Sequence, residues 1–134
     1  MNPINLHQIA LEAMRTRGLL PEFSPQALQE AEAARQTAPE RHSAIRDLRP
    51  LTWFSIDNDD TRDLDQLSVA EPLAAGRMRL RVAVADVDTK VAPGSAVDDH
   101  AATNTTSVYT AAGVFTMLPE LLSNDITSLH EGVE

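Results

Sequence analysis

The 134-residue chain contains no cysteine, which excludes disulfide scaffolds, thiolate metal sites and cysteine nucleophiles. Its amino terminus lacks a basic stretch followed by an apolar one, and no window approaches the ~18 apolar residues of a membrane span. The sequence therefore predicts neither export nor membrane insertion. With 43% hydrophobic and 23% charged residues, the composition is typical of one soluble domain, and we expect a cytoplasmic protein.

Positive charge is scarce in the second part of the chain. Residues 1–50 hold six acidic and six basic side chains, whereas residues 51–134 hold fourteen acidic and five basic ones, so the second part carries the whole net charge of −9. Because an acidic surface repels phosphate, charge alone argues against direct nucleic-acid binding. The exception is an enzyme whose carboxylates hold a metal ion that in turn holds a phosphate.

The strongest chemical signal is a run of five aspartates within nine residues, called here the acidic segment (residues 57–65). Its aspartates are Asp57, Asp59, Asp60, Asp63 and Asp65. Carboxylates about 4 Å apart repel by roughly 4 kcal/mol per pair at an effective dielectric of about 20. Such a segment must therefore splay into solvent, take up protons or hold a cation. A solvated acidic turn is the common alternative to a metal site.

The residues at and after the aspartates distinguish two kinds of cation site. A calcium-binding helical loop needs glycine where this chain has Arg62 and glutamate where it has Ser68, which excludes that site. A magnesium or manganese site needs few hard oxygen ligands and leaves positions for water and phosphate. We predict Asp57, Asp63 and Asp65 as its ligands. Asp63 and Asp65 are alternate residues of an extended chain, so their two carboxylates point the same way.

Residues outside this ligand set have weaker signals. Asp59 and Asp60 are expected to face solvent. Asp86 ends the longest apolar strand, where it either orients a ligand or substrate or only forms the strand-end turn. Tyr109 either stacks on a base or is a core tyrosine bonded through its hydroxyl. His100 is predicted to lie on a helix surface without a functional role.

The sequence divides into three predicted parts. Residues 1–36 form a helical amino-terminal segment of two amphipathic helices, with Gly18 ending the first and Ser24 capping the second. Residues 37–50 form a linker bounded by prolines. Residues 51–134 form the third part, which carries the acidic segment.

The third part is strand-like. A strand is predicted over residues 51–56, and another resumes around residues 67–69 after the acidic segment. Residues 78–84 alternate between apolar and other side chains, which predicts a half-buried strand antiparallel to its predecessor. A capped helix follows over residues 95–104. The predicted fold class is α+β, with a short helical segment before a truncated mixed or antiparallel sheet and its flanking helix.

Five motifs occur in a fixed order, at residues 56–66, 82–87, 93–95, 106–109 and 117–125. In this order and spacing they resemble the start of the catalytic domain of the ribonuclease II family, also called the RNB family. The resemblance covers roughly residues 51–133. It implies that the third part is a partial ribonuclease II-type catalytic domain.

The resemblance also implies a function. Members of that family are processive 3′-to-5′ exoribonucleases that hydrolyse single-stranded RNA to nucleoside 5′-monophosphates with Mg²⁺, for which Mn²⁺ is a possible substitute. Asp57, Asp63 and Asp65 then match metal-holding positions, with Asp63 and Asp65 as catalytic residues and Asp65 the most sensitive. Tyr109 matches an RNA-contacting tyrosine. Gln66 stands where the family has an aspartate, and its amide oxygen can coordinate magnesium without adding negative charge.

Family enzymes carry a longer catalytic domain with a later basic and aromatic portion that grips RNA. We therefore expect weak or no activity from this chain alone. Two alternatives stay open. One is a non-catalytic domain that binds a divalent cation or a protein partner through the acidic segment, and the other is a degenerate fragment without independent function.

Overall fold

The computed structural model of the protein describes residues 4–37, 44–59 and 61–131. Asp60 and residues 38–43 of the predicted linker lie outside the described residues. Within the described part, no helix is both long enough and apolar enough to cross a membrane.

Two capped helices form the amino-terminal part. Helix α1 spans Leu6–Thr16 and helix α2 spans Pro25–Ala34. The side chains of Asn5 and Ser24 each accept a hydrogen bond from the backbone N–H three residues later, which satisfies one free donor of the first turn. Gly18 follows α1 with φ +77°, a conformation that glycine adopts without strain. Both predicted helices are confirmed, with ends one or two residues shorter than expected.

The acidic segment leads into an antiparallel hairpin. Strand β1 (Gln66–Pro72) pairs with strand β2 (Met78–Val84), with Gln66 opposite Val84. A short 3₁₀ turn, Ala74–Gly76, joins them. The predicted antiparallel return is confirmed.

The strand predicted over residues 51–56 is wrong. Only Phe54 pairs with the sheet, through one antiparallel bridge to Ser68 with N–H to O distances of 2.9 and 2.8 Å. Local bonds occupy the residues before it, because the indole N–H of Trp53 donates to the carbonyl oxygen of Leu48 at 2.9 Å. The backbone N–H of Trp53 also donates to Leu51 at 2.9 Å. The apolar residues therefore wind into a turn instead of extending the sheet.

The burial predicted for β2 is also wrong. Its four alternating apolar side chains are between 54% and 70% exposed. They are Met78, Leu80, Val82 and Val84. We call this side of the strand the open face of β2. No described element packs on it, and none of its residues belongs to the main core. Val69 of β1, on the opposite side of the sheet, is 5% exposed.

A third helix and a small second hairpin complete the described fold. Helix α3 spans Ala96–Asn104, and Ser95 caps it by accepting from the N–H of Asp98 at 3.2 Å. Strands β3 (Val108–Thr110) and β4 (Gly113–Phe115) pair antiparallel. One π-helical turn, Leu122–Ile126, follows. The helix and its cap are confirmed.

The core joins α2 to α3 and to the carboxyl-terminal segment. Its buried members are Ala27, Ala31, Ala34, Val97, Leu118 and Leu122. The three alanines lie at spacings of three to four residues on one face of α2, so α3 and the segment after β4 can pack closely against that helix. Helices and small antiparallel sheets together confirm the predicted α+β class.

Candidate metal site in the acidic segment

The end of the acidic segment is tied to residues far along the chain. The hydroxyl of Ser128 donates to the carbonyl oxygen of Arg62 at 3.1 Å and accepts from the backbone N–H of Leu64 at 3.0 Å. The N–H of Leu129 donates to the carbonyl oxygen of Leu64 at 2.8 Å. Asp63 therefore lies between two backbone positions that the same distant segment holds.

A second tie continues the β1–β2 ladder. The backbone N–H of Ala85 donates to the carbonyl oxygen of Asp65 at 2.8 Å, one step beyond the Gln66 and Val84 pair. This bond places Asp65 beside the end of β2. It also brings Asp86, the next residue, to the same end of the hairpin.

The three aspartates predicted as ligands keep their carboxylates available. Asp57 and Asp65 are exposed and Asp63 is half-buried. Within residues 4–37, 44–59 and 61–131, no hydrogen bond or ion pair engages these three side chains. Carboxylate oxygens without protein partners are the hard donors that Mg²⁺ and Mn²⁺ prefer. The donor chemistry of the segment therefore fits a divalent cation.

The described residues do not close around a cation. Among them, no three histidine, aspartate or glutamate side chains lie together in a group that could hold a metal ion. A turn separates Asp57 from the later aspartates, since the N–H of Thr61 donates to the carbonyl oxygen of Asn58 at 3.0 Å. A ligand sphere shared by Asp57, Asp63 and Asp65 stays a prediction, and it requires these side chains to move together when a cation binds.

Gln66 begins β1 and is exposed. It is paired with Val84, and paired residues place their side chains on the same face of a sheet. Its amide therefore lies on the open face of β2. Its role as a metal ligand stays a prediction.

Tyr109 is available to a ligand. It lies in β3, opposite Val114, and is 71% exposed. The alternative of a core tyrosine is wrong. An exposed ring can stack on a base, but base contact by Tyr109 stays a prediction.

Asp86 stands at the start of a short 3₁₀ turn, Val87–Thr89. Its carbonyl oxygen accepts from the hydroxyl of Thr89 at 2.8 Å, while its side chain makes no capping bond to this turn. The position suits either role considered for this residue. A role in orienting a ligand or substrate stays a prediction.

Sequence reasoning placed one buried polar residue, His100, on the surface and did not identify another, Ser128. His100 is 4% exposed, not on the surface, and its ring packs on Phe23 with centroids 4.1 Å apart. Burial lowers the pKa of His100 below its ordinary value of 6.5. Ser128 is 5% exposed, and its partners lie 64 and 66 residues away. No local sequence signal could have predicted contacts over that separation.

Comparison with known proteins gives the family. The sequence model of the RNB domain matches residues 45–134, which include the acidic segment, both hairpins and α3. The chain belongs to the RNB-domain family. This confirms the resemblance drawn from the five motifs. The division at residues 36 and 50 stays a prediction.

Similar curated proteins are ribonucleases R. The chain is 42% identical over 123 residues to Ribonuclease R of Acidithiobacillus ferrooxidans, covering 91% of this chain and 28% of that protein. It is 40% identical over 124 residues to Ribonuclease R of Escherichia coli (strain K12), covering 91% of this chain and 15% of the relative. The chain thus spans between about a seventh and little more than a quarter of these relatives.

Solved structures agree on the fold. The chain is similar to Mycoplasma genitalium RNase R in complex with ribose-methylated single-stranded RNA, with a TM-score of 0.73 and 26% identity. That match covers 92% of this chain and 19% of the other. The complex of the same enzyme with double-stranded RNA gives a TM-score of 0.73 and 29% identity, over 92% of this chain and 22% of the other.

Proposed function

We propose that this chain carries the metal-holding part of a 3′-to-5′ exoribonuclease that hydrolyses single-stranded RNA to 5′-mononucleotides. The observation that carries the proposal is the match to the RNB domain over residues 45–134, together with similarity to ribonucleases R along 91% of the chain. Similarity to RNase R structures in complex with RNA supports RNA as the substrate.

The acidic segment would hold Mg²⁺, with Mn²⁺ as a substitute. Asp57, Asp63, Asp65 and the amide oxygen of Gln66 are the proposed ligands, and their oxygen donors suit a hard cation. When bound, the metal supplies positive charge to the scissile phosphate and acidifies an attacking water. Because no three carboxylates of the described residues are grouped, cation binding must draw them together.

The anchored backbone supports a catalytic role for the later aspartates. Asp63 and Asp65 lie where bonds from Ser128, Leu129 and Ala85 fix the chain, so their carboxylates start from a defined position. We assign these two aspartates to catalysis, with Asp65 the more sensitive. The exposed ring of Tyr109 is proposed to stack on an RNA base, a contact typically worth about 1–3 kcal/mol.

We expect the chain alone to be weakly active or inactive. Its third part has five basic residues against fourteen acidic ones, and little positive charge is available to hold an RNA backbone. A single-stranded oligoribonucleotide incubated with the chain and Mg²⁺ should release few or no mononucleotides. Efficient release that disappears in Asp65→Asn would contradict this expectation while supporting the assigned chemistry.

Metal binding tests the proposed site directly. Calorimetric titration with Mn²⁺ should show binding to the wild-type chain, and Asp63→Asn and Asp65→Asn should each weaken it at least tenfold. Asp59→Asn is the matched control, because it removes the same charge from the same segment at a residue expected to face solvent. An equal loss of Mn²⁺ affinity in all three variants would show that binding depends only on the total charge of the segment, which argues against a defined site.

A non-catalytic role is the second candidate. It is favoured by the exposure of Asp57 and Asp65 and by the absence of a three-carboxylate group among the described residues. An acidic surface of this kind could bind a basic protein partner without a metal. Titrations with Mg²⁺, Mn²⁺ and single-stranded RNA separate the two candidates. A partner-binding surface should respond to neither metal nor RNA.

A further inference from the structure

One buried hydroxyl holds the backbone on both sides of Asp63. The Oγ atom of Ser128 donates to the carbonyl oxygen of Arg62 at 3.1 Å and accepts from the N–H of Leu64 at 3.0 Å. Ser128 is 5% exposed, so water has little access to replace these bonds.

A third hydrogen bond joins the same two segments. Leu64 has both of its backbone groups committed to this segment, because its carbonyl oxygen accepts from Leu129 at 2.8 Å. The residue between the two tied positions, Asp63, has no hydrogen bond or ion pair of its own side chain within the described residues. Its direction is therefore determined by the backbone that Ser128 and Leu129 hold.

We propose that Ser128 is a positioning residue that fixes the backbone around Asp63 and thereby sets the ligand geometry of the acidic segment. This role rests on the proposed function, since it assumes that Asp63 holds a divalent cation. Ser128 does not contact the cation in this proposal. It acts through Arg62 and Leu64, as partners outside the ligand set of metal sites commonly do.

The role requires a hydroxyl that donates and accepts at once. Threonine supplies the same two functions, whereas alanine supplies neither. Cysteine keeps the unbranched shape of serine with a larger terminal atom, and it offers only a weak S–H donor and a weak sulfur acceptor. These three replacements therefore separate hydrogen bonding from side-chain volume at the same position.

Calorimetric titration with Mn²⁺ tests the proposal on the full chain. Ser128→Ala should weaken Mn²⁺ binding by about tenfold or more, Ser128→Cys should weaken it less, and Ser128→Thr should bind nearly as the wild type does. Ser123→Ala is the matched control, since its hydroxyl bonds to Asn124 in the same carboxyl-terminal region and should leave Mn²⁺ affinity unchanged. Should Ser128→Ala fail to fold, the cysteine and threonine variants decide the question.

A loss of general stability must not be mistaken for positioning. Val97→Ala creates a cavity in the helical core, so it should lower the thermal midpoint without weakening Mn²⁺ binding. Amide exchange gives a readout that needs no metal, because the Leu64 N–H should exchange faster in Ser128→Ala while the amides of α3 keep their protection.

The outcomes separate this proposal from the proposed function. Mn²⁺ binding that is lost in Asp65→Asn but unchanged in Ser128→Ala would overturn the role of Ser128 and leave the metal site standing. Absence of Mn²⁺ binding by the wild type would overturn both. Faster exchange at Leu64, together with weaker Mn²⁺ binding in Ser128→Ala and recovery in Ser128→Thr, is the result that supports the proposal.

Discussion

The ring nitrogen Nε2 of His100 lies 3.0 Å from the side-chain amide nitrogen of Asn104, and both residues are buried. The amide oxygen of Asn104 already accepts from the N–H of Leu20 at 2.8 Å, and the amide nitrogen also donates to the carbonyl oxygen of Leu20 at 2.8 Å. The nitrogen that faces His100 is therefore a donor. Nε2 must be its unprotonated acceptor, so this network requires a neutral imidazole.

The first prediction is a loss of stability in mild acid. Burial lowers the pKa of His100 in the folded protein, so the unfolded chain binds more protons than the folded one. The free energy of unfolding should be highest above about pH 6.5 and decrease as the pH falls through that value toward the folded pKa. Urea denaturation between about pH 5 and 8 measures this slope.

Two variants assign the slope to His100. His100→Gln keeps an acceptor for Asn104 but cannot take up a proton. The part of the pH dependence of the unfolding free energy that comes from residue 100 should therefore vanish in this variant. His7→Gln removes the exposed imidazole that stacks on Phe115, and the pH dependence of the unfolding free energy should be unchanged in this variant. A pH dependence that survives in His100→Gln and disappears in His7→Gln would show that the wrong histidine was chosen.

The second prediction concerns Gln66. If its amide oxygen is a metal ligand, Gln66→Asp adds a negative charge to the site and should strengthen Mn²⁺ binding several-fold. Ala70→Asp adds the same charge to an exposed position on the same face of β1, four residues further along. Calorimetry should find stronger binding only in the first variant. Equal gains in both would indicate a general charge effect and remove Gln66 from the ligand set.

The third prediction concerns the open face of β2. Val82 is 54% exposed, so Val82→Thr should change the free energy of unfolding by less than about 0.5 kcal/mol. The same replacement at buried Val69 should cost about 1–3 kcal/mol, because it places a hydroxyl in an apolar environment.

Denaturant titration of the two valine variants measures the contrast. A cost at Val82 equal to that at Val69 would mean that something covers the open face in solution.

The fourth prediction concerns the turn between β1 and β2. Ala75 has φ 58° and ψ 34°, a left-handed conformation that costs a residue with a Cβ about 1–2 kcal/mol. Ala75→Gly should remove that strain and raise the thermal midpoint slightly. Ala74→Gly, at the neighbouring position without this conformation, should lower it, because glycine there only adds freedom to the unfolded chain. The reverse order of the two midpoints would contradict the assigned strain.

Local features were the most predictable part of this fold. The caps at Ser24 and Ser95 act on backbone groups three residues away, and Gly18 acts at its own position. The β1–β2 hairpin joins neighbouring strands through a short turn. Each of these interactions is contained in a short stretch of chain, so the sequence pattern was sufficient to predict it.

Failures occurred where a pattern did not specify its neighbours. Alternation in residues 78–84 correctly predicted a strand, but the apolar residues lie on the open face because no described element packs there. The apolar residues 51–53 wind into a turn through bonds to Leu48. His100 belongs to a helix with polar residues around it, and only the packing of Phe23 shows that it is buried.

The sequence by itself determined the family and the chemical character of the site, since the order of motifs and the clustering of aspartates are properties of the chain. Tertiary structure alone decided how the acidic segment is held. Ser128, Leu129 and Ala85 reach it from distant positions, because only the folded backbone can bring donors and acceptors about 20 to 66 residues apart within hydrogen-bonding distance.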